Sequence, residues 1–342
     1  MRTSLVFAIA LLAIAAQPDD YQWNLPKGFP KPFVPADNPM SAAKVELGRY
    51  LFYDKRMSIN GTQSCASCHK QELAFTDGRA VGIGATGELH SRNTMSLVNV
   101  AYSAALTWSN PDLKTLEKQA LIPMFGDHPV ELGLHEGDAF LPAIRSDKTY
   151  TALFAKAFPE DTDRYTIANV TKAIASFERS IISARSPYDR YHYDRDDSAV
   201  SESAKHGEVL FFSQHVSCFR CYGGFNFSDA TFHNTGLYNP YPAPNVGIFE
   251  FTHESADMGK FKVPTLRNIA LTAPYMHDGS IPTLEGVLDH YAAGGRAHDN
   301  PNKDHLIGGF EISQQGREDL IEYLKSLTDD QVIHDPRFSS PW

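Results

Sequence analysis

Cysteine is scarce in this chain, with four in 342 residues. All four fall into two C-x-x-C pairs, Cys65/Cys68 and Cys218/Cys221, which leaves none for an ordinary disulfide framework. Basic charge is short as well: 31 Lys and Arg face 41 Asp and Glu, for a net charge of −10. That balance argues against nucleic acid as a partner and suits a basic protein instead. Long apolar runs are missing beyond the N-terminus. None reaches the ~18 residues that a membrane helix needs, so no membrane span is expected. What is there is 42% hydrophobic and 21% charged, the balance of a soluble globular protein long enough for two domains of about 150 residues.

Residues 1–16 read as a secretory signal peptide, with Arg2, an apolar run from Leu5 to Ile14, and small residues at Ala13, Ala15 and Ala16. Polar Gln17-Pro18-Asp19-Asp20 follows, and the mature chain is expected outside the cytoplasm. Residues 17–40 are expected to form an extended arm, proline-rich from Pro26 to Pro39. Ser41 can then cap a helix through Ala43, Val45, Leu47, Gly48 and Leu51.

That helix delivers the chain to Cys65-Ala66-Ser67-Cys68-His69, a C-x-x-C-H motif. Haem c attachment needs this arrangement: two thiols add across the vinyl groups of one porphyrin, and the adjacent imidazole lies beneath the iron. A chance disulfide or half a zinc site is the rival reading, and no nearby partner motif completes such a site. The second pair, Cys218-Phe219-Arg220-Cys221, has Tyr222 where histidine is expected. A helix at 202–212 precedes it as the first helix precedes Cys65, so an internal duplication of one cytochrome c unit accounts for both. The expected fold is mostly α, with two cytochrome c-like domains, each built around a covalently attached haem c.

Between the pairs, a glycine-rich loop runs from Phe75 to Gly87, and apolar spacing predicts a helix from Leu113 to Leu121 closed by Pro123. Glu131, in Pro129-Val130-Glu131-Leu132-Gly133, is expected in a mainly apolar setting that would raise its pKa. Helical spacing returns from Thr166 to Ile182, and a polar link over 186–203 marks the domain boundary, giving domains 41–185 and 186–342. Helices are further expected from Thr283 through Tyr291, ended by Gly294-Gly295, and from Ser313 to Leu327.

Over essentially the whole mature chain, these residues resemble the bacterial di-haem cytochrome c peroxidase superfamily. The resemblance is carried by the first haem motif, the Trp108 region, Glu117-Lys118-Gln119-Ala120 with Pro123 and Glu131, Pro264-Thr265-Leu266-Arg267-Asn268, and Thr272-Ala273-Pro274-Tyr275-Met276-His277-Asp278-Gly279. Within the superfamily the chain is most similar to the MauG-type branch, especially the di-haem enzymes encoded with methanobactin, a copper-binding peptide.

The resemblance implies that His69 is the proximal ligand of a peroxide-reacting haem, with Gln119, Pro123 and Glu131 on its open face and Glu131 as acid–base group. It implies that Trp108 relays electrons or holes between the haems. It also implies that Asn93, with the carbonyls of Thr272 and Pro274, holds calcium between the domains. Domain 41–185 would then be peroxidatic and domain 186–342 electron-transferring, in the periplasm, where haem c is matured.

Two departures sort the branches. Ala85 stands where peroxidases that need reductive activation carry a histidine, so the first haem should be open without activation. Tyr291 stands where those enzymes use methionine on the second iron. Tyr222 departs from every branch, and three arrangements stay open. Tyr222 is the proximal ligand with Tyr291 distant; or His215, His233 or His290 serves; or a His-to-Tyr replacement has damaged the second site. The implied activity is oxidation of a partner-protein side chain, such as tryptophan, by hydrogen peroxide. The alternatives are peroxide reduction with electrons from a small redox protein and, from another class, a two-haem electron carrier.

Overall fold

The computed structural model describes residues 21–135 and 140–342. The expected signal peptide and the first four residues of the arm lie outside the described residues. From residue 21 to 40 the chain forms neither helix nor strand. Its Phe29 is buried edge-on against Tyr102, Tyr193 and Phe225, and the Arg267 guanidinium lies 4.7 Å from the Phe29 ring centre.

The first half carries α1 (Ala42–Tyr53), α2 (Cys65–Cys68), α3 (Leu116–Gln119), α4 (Leu121–Phe125), α5 (Phe140–Arg145), α6 (Lys148–Ala157) and α7 (Ile167–Ser180). The second carries α8 (Pro187–Tyr193), α9 (Glu202–Phe211), α10 (Phe249–Thr252), α11 (Leu284–Ala292), α12 (Gln314–Ser326) and α13 (Asp330–His334). Strands are confined, among the described residues, to the two-residue pair β1 (Phe232–His233) and β2 (Phe261–Lys262), antiparallel with His233 opposite Phe261.

Each half is organised by one close helix crossing, made the same way. Ser41 caps α1, accepting from Lys44 N at 3.2 Å, and Ser201 caps α9, accepting from Ala204 N at 3.1 Å. A Cβ on Gly48 of α1 would lie 2.0 Å from the Ala173 carbonyl oxygen of α7. A Cβ on Gly207 of α9 would lie 1.9 Å from the Asp319 carbonyl oxygen of α12. Only glycine lets these backbones approach so closely, which places one inward stripe of each helix in its core.

A second duplicated device holds the halves together. Asn99 and Asn268 both adopt positive φ, 56° and 59°, and each starts a short 3-10 turn. Asn99 Nδ2 donates to Ser183 O at 2.9 Å, while Asn268 Nδ2 donates to Asp329 O at 3.2 Å. Ser183 Oγ then donates to Asn268 Oδ1 at 2.7 Å, tying one device to the other.

Two expectations need correction. The helix expected over 113–121 is two short ones, and Pro123 sits inside α4 instead of closing a helix, because in a first turn its missing N–H breaks no helical bond. The polar link at 186–203 contains α8, whose Asp189 is buried and pairs with fully buried Arg267 at 2.8 and 3.0 Å. The C-terminal tail returns to the first half: Val332 and Phe338 join the core of Leu47, Phe52 and Phe177, and Tyr53 Oη donates to Phe338 O at 2.6 Å.

Candidate haem and peroxide site

One turn of helix sets the first cysteine pair. Cys65 and Cys68 open and close α2, so their side chains project from one face, and a capping box between Ser64 and Ser67 fixes the entry. His69 follows at the helix end. The chain then curls through Ala74 and Phe75, both at positive φ, and Phe75 O meets His69 Nδ1 at 2.9 Å. With Nδ1 donating to that carbonyl, Nε2 presents its lone pair, and burial lowers the His69 pKa, favouring the neutral imidazole. Burial also pushes up both thiols, Cys68 to about 11. Two thiols on one helical turn beside a neutral imidazole fit haem c.

Glu131 stands close enough to this turn that its carboxylate bears on Cys65, Cys68 and His69 alike. Its backbone is clamped: Ala85 N donates to Glu131 O at 2.6 Å, and Val130 N donates to Glu88 Oε2 at 3.1 Å. Gly84 permits the approach, since a Cβ there would lie 1.7 Å from Val130 O. From outside, Asn60 Nδ2 donates to Ala85 O at 2.7 Å and Gln63 Nε2 to Gly84 O at 2.9 Å. Next to Glu131, Leu132 N donates to Pro123 O at 2.8 Å, and Gln119 lies half-buried four positions before Pro123.

The setting of Glu131 is not the mainly apolar one expected. Its side chain is 33% exposed, and its Oε1 lies 3.3 Å from His90 Nε2. Sequence reasoning missed His90. The signal available was only a histidine near the end of the glycine-rich loop, and nothing local ties it to residue 131.

Trp108 lies where the halves meet. Its Nε1 donates to Asn93 O at 2.8 Å, its carbonyl accepts from Lys262 N at 2.9 Å, and its ring packs against the second core. Asn93 N in turn donates to His277 O at 2.8 Å, which brings Asn93 to the 272–279 segment holding Thr272 and Pro274. The Asn93 side chain donates through Nδ2 to Arg79 O and Ala80 O, at 2.8 and 3.3 Å. Its Oδ1 accepts no hydrogen bond found among the described residues, so the hard donor that a calcium ion would need is present.

The second cysteine pair is different. Cys218 begins a 3-10 turn, and its buried thiol is pushed up to about 12. Tyr222 and Tyr291 point at one another, with hydroxyl oxygens 3.1 Å apart, and burial keeps both phenols protonated, Tyr291 at about 12. Two ligands on opposite sides of one metal ion, each at ~2 Å, need about 4 Å between them. The pair as placed therefore does not fit an iron held between two phenol oxygens. Of the other candidates, His215 Nε2 meets Glu311 O at 2.7 Å on the surface, and His290 Nε2 meets Thr235 O at 3.0 Å, with its pKa pushed down to about 4 by burial. His233 is engaged by carboxylates.

Comparison with known proteins places the chain in a family. Residues 42–198 match the family model of di-haem cytochrome c peroxidases, and residues 260–293 match one described as RoxA-like, cytochrome c-like. Methylamine utilization protein MauG of Methylophilus methylotrophus is 33% identical over 297 residues, covering 86% of this chain and 85% of that one. Cytochrome c551 peroxidase of Nitrosomonas europaea is also 33% identical, covering 90% and 85%. Among solved structures, a MauG-like protein associated with microbial copper homeostasis superposes with a TM-score of 0.92 at 44% identity, covering 94% of this chain and 99% of that one.

Proposed function

The chain belongs to the di-haem cytochrome c peroxidase family, and from that premise we propose that it uses hydrogen peroxide to oxidise a side chain of a partner protein. A haem c carried by Cys65, Cys68 and His69 would supply the redox-active iron. Every other part of the reading belongs to this chain's own residues. His69, held through Nδ1 by Phe75 O, presents Nε2 as ligand. Glu131 moves the peroxide proton, oriented by His90 and fixed in place by the clamp of residues 84–88 on 130–131. Gln119 and Pro123 bound the pocket. Trp108, hydrogen-bonded to Asn93 and packed on the second core, relays the oxidising equivalent outward, and calcium at Asn93, Thr272 and Pro274 would stiffen that junction.

The observation that carries the reading is the clamp itself. It holds Glu131 where its charge bears on the cysteine–histidine turn, and the residue bonded to it is Ala85, which has no side chain able to ligate an iron. A two-haem electron carrier has no use for such a group. The acidic surface suits a basic partner, and likeness to a protein associated with copper homeostasis favours one involved in copper handling. Export to the periplasm, from the layout of residues 1–16, is part of the same proposal.

The test is to treat the ferric protein with peroxide beside a basic copper-peptide precursor or its carrier and to measure oxidised tryptophan by mass spectrometry. Oxidation of a specific side chain supports the reading. Rapid turnover with a reduced small cytochrome or cupredoxin, and no protein oxidation, would make it a peroxide-reducing enzyme instead. That outcome has the identity to cytochrome c551 peroxidase in its favour.

A further inference from the structure

The second cysteine pair sits beside a group of donors that haem attachment does not need. Cys221 Sγ, a carboxylate oxygen of Asp229 and a ring nitrogen of His233 converge within 4.8 Å of one another, all half-buried. The backbone builds this. Asp229 N donates to Cys221 O at 2.7 Å, closing the loop after the cysteine turn, and β1 carries His233 alongside.

His233 is oriented from behind. Its Nδ1 meets Asp304 Oδ2 at 2.5 Å, and its Nε2 faces Asp229 Oδ2 at 2.7 Å and Thr231 Oγ1 at 2.9 Å. A carboxylate behind Nδ1 sets Nε2 as the ligand atom, which is how metal-binding imidazoles are commonly held. The outer face of Asp304 carries His305, whose Nδ1 lies 3.2 Å from Asp304 Oδ1.

We propose that Cys221, Asp229 and His233 bind a divalent metal ion of the zinc class, with Asp304 orienting His233 and a fourth position left to water. One thiolate and one carboxylate balance the charge of such an ion, and mixed sulfur, nitrogen and oxygen donors suit it.

The Cys221 sulfur cannot be both a thioether to haem and a thiolate to metal. Tyr222 tips the choice, because it replaces the histidine of the C-x-x-C-H motif and its phenol is taken up by Tyr291. The proposal does not depend on peroxide chemistry at His69, so either can fail without the other.

The experiment uses the mature protein made in a host competent for haem c. Intact mass should show one haem, with Cys221 free. Equilibrium dialysis against zinc under reducing conditions should load one ion per chain, and zinc-edge X-ray absorption should show one sulfur at ~2.3 Å with nitrogen and oxygen at ~2.0–2.2 Å. Cys221→Ser should remove the sulfur, and Asp304→Asn, which keeps the shape of the site, should weaken binding about 10–100-fold. Tyr222→His should install a second haem and abolish zinc loading. Two thioether-linked haems in the protein as written would overturn the proposal. So would a zinc ion with no sulfur neighbour, or an affinity unchanged by Asp229→Asn and His233→Ala.

Discussion

Replacing Glu131 by Gln isolates what its carboxylate does. The backbone clamp, Ala85 N to Glu131 O at 2.6 Å and Asn60 Nδ2 to Ala85 O at 2.7 Å, does not involve the side chain and survives. Glutamine has the same shape and can still meet His90 Nε2, 3.3 Å from the present Oε1. Only the capacity to carry a proton is lost. Positioned acid–base groups contribute ~10²–10⁴-fold. At 33% exposure, water can partly substitute for Glu131, which places the expected loss at the low end. We expect about 10²-fold, or ~2.7 kcal/mol at 1.36 kcal/mol per tenfold. His90→Ala removes one long hydrogen bond, worth ~0.5–1.5 kcal/mol, and should slow the step only ~2–10-fold. Stopped-flow mixing of ferric protein with peroxide, followed in the Soret band, measures both. A Glu131→Gln rate within about threefold of the parent would refute the assignment. A His90→Ala loss as large as that of Glu131→Gln would move the proton to the histidine.

Trp108→Phe gives up the Nε1 bond to Asn93 O but keeps a ring against the second core, so peroxide consumption in the first turnover should persist while partner oxidation falls sharply; parallel loss of both would reduce Trp108 to packing. Gly48→Ala forces a methyl toward the Ala173 carbonyl, and overpacking of ~1–3 kcal/mol should lower Tm by several degrees; an unchanged melt would contradict the close crossing. Buried Glu178 has its pKa raised to about 8, first by burial, so the folded protein holds a proton that the unfolded chain releases near pH 4.5. Stability from Glu178 should therefore decline as pH rises from about 4.5 to 8, and Glu178→Gln should remove that slope in urea midpoints measured at pH 5 and 8.

The local features were legible before any coordinates. Ser41, Thr166, Thr283 and Ser313 each cap the helix their positions predicted, because capping is settled within three residues. The Cys65–His69 turn was legible for the same reason. What escaped was non-local. The approach of Gly84 to Val130, the His90–Glu131 contact and the Asp189–Arg267 pair join segments tens of residues apart, with no periodicity to announce them. The Leu-x-Asn repeat at 97–99 and 266–268 was visible and unread, although it marks the duplicated device more sharply than the helices do. Return of Phe338 to the first core could not be read from spacing, since a short polar tail ending in aromatics has no helical pattern. Cys221 was read only as a haem thiol and His233 only as an alternative iron ligand, and nothing in their spacing showed that both converge with Asp229.

The central claim is that the His69 iron is open and ready, because Ala85 is held by its backbone to Glu131 and has no ligating side chain. Electron paramagnetic resonance of the ferric protein as isolated, with peroxide added before any reductant, tests it most directly. A high-spin ferric signal that disappears on adding peroxide is the predicted result. A wholly low-spin signal, with reaction only after one-electron reduction, would contradict the account.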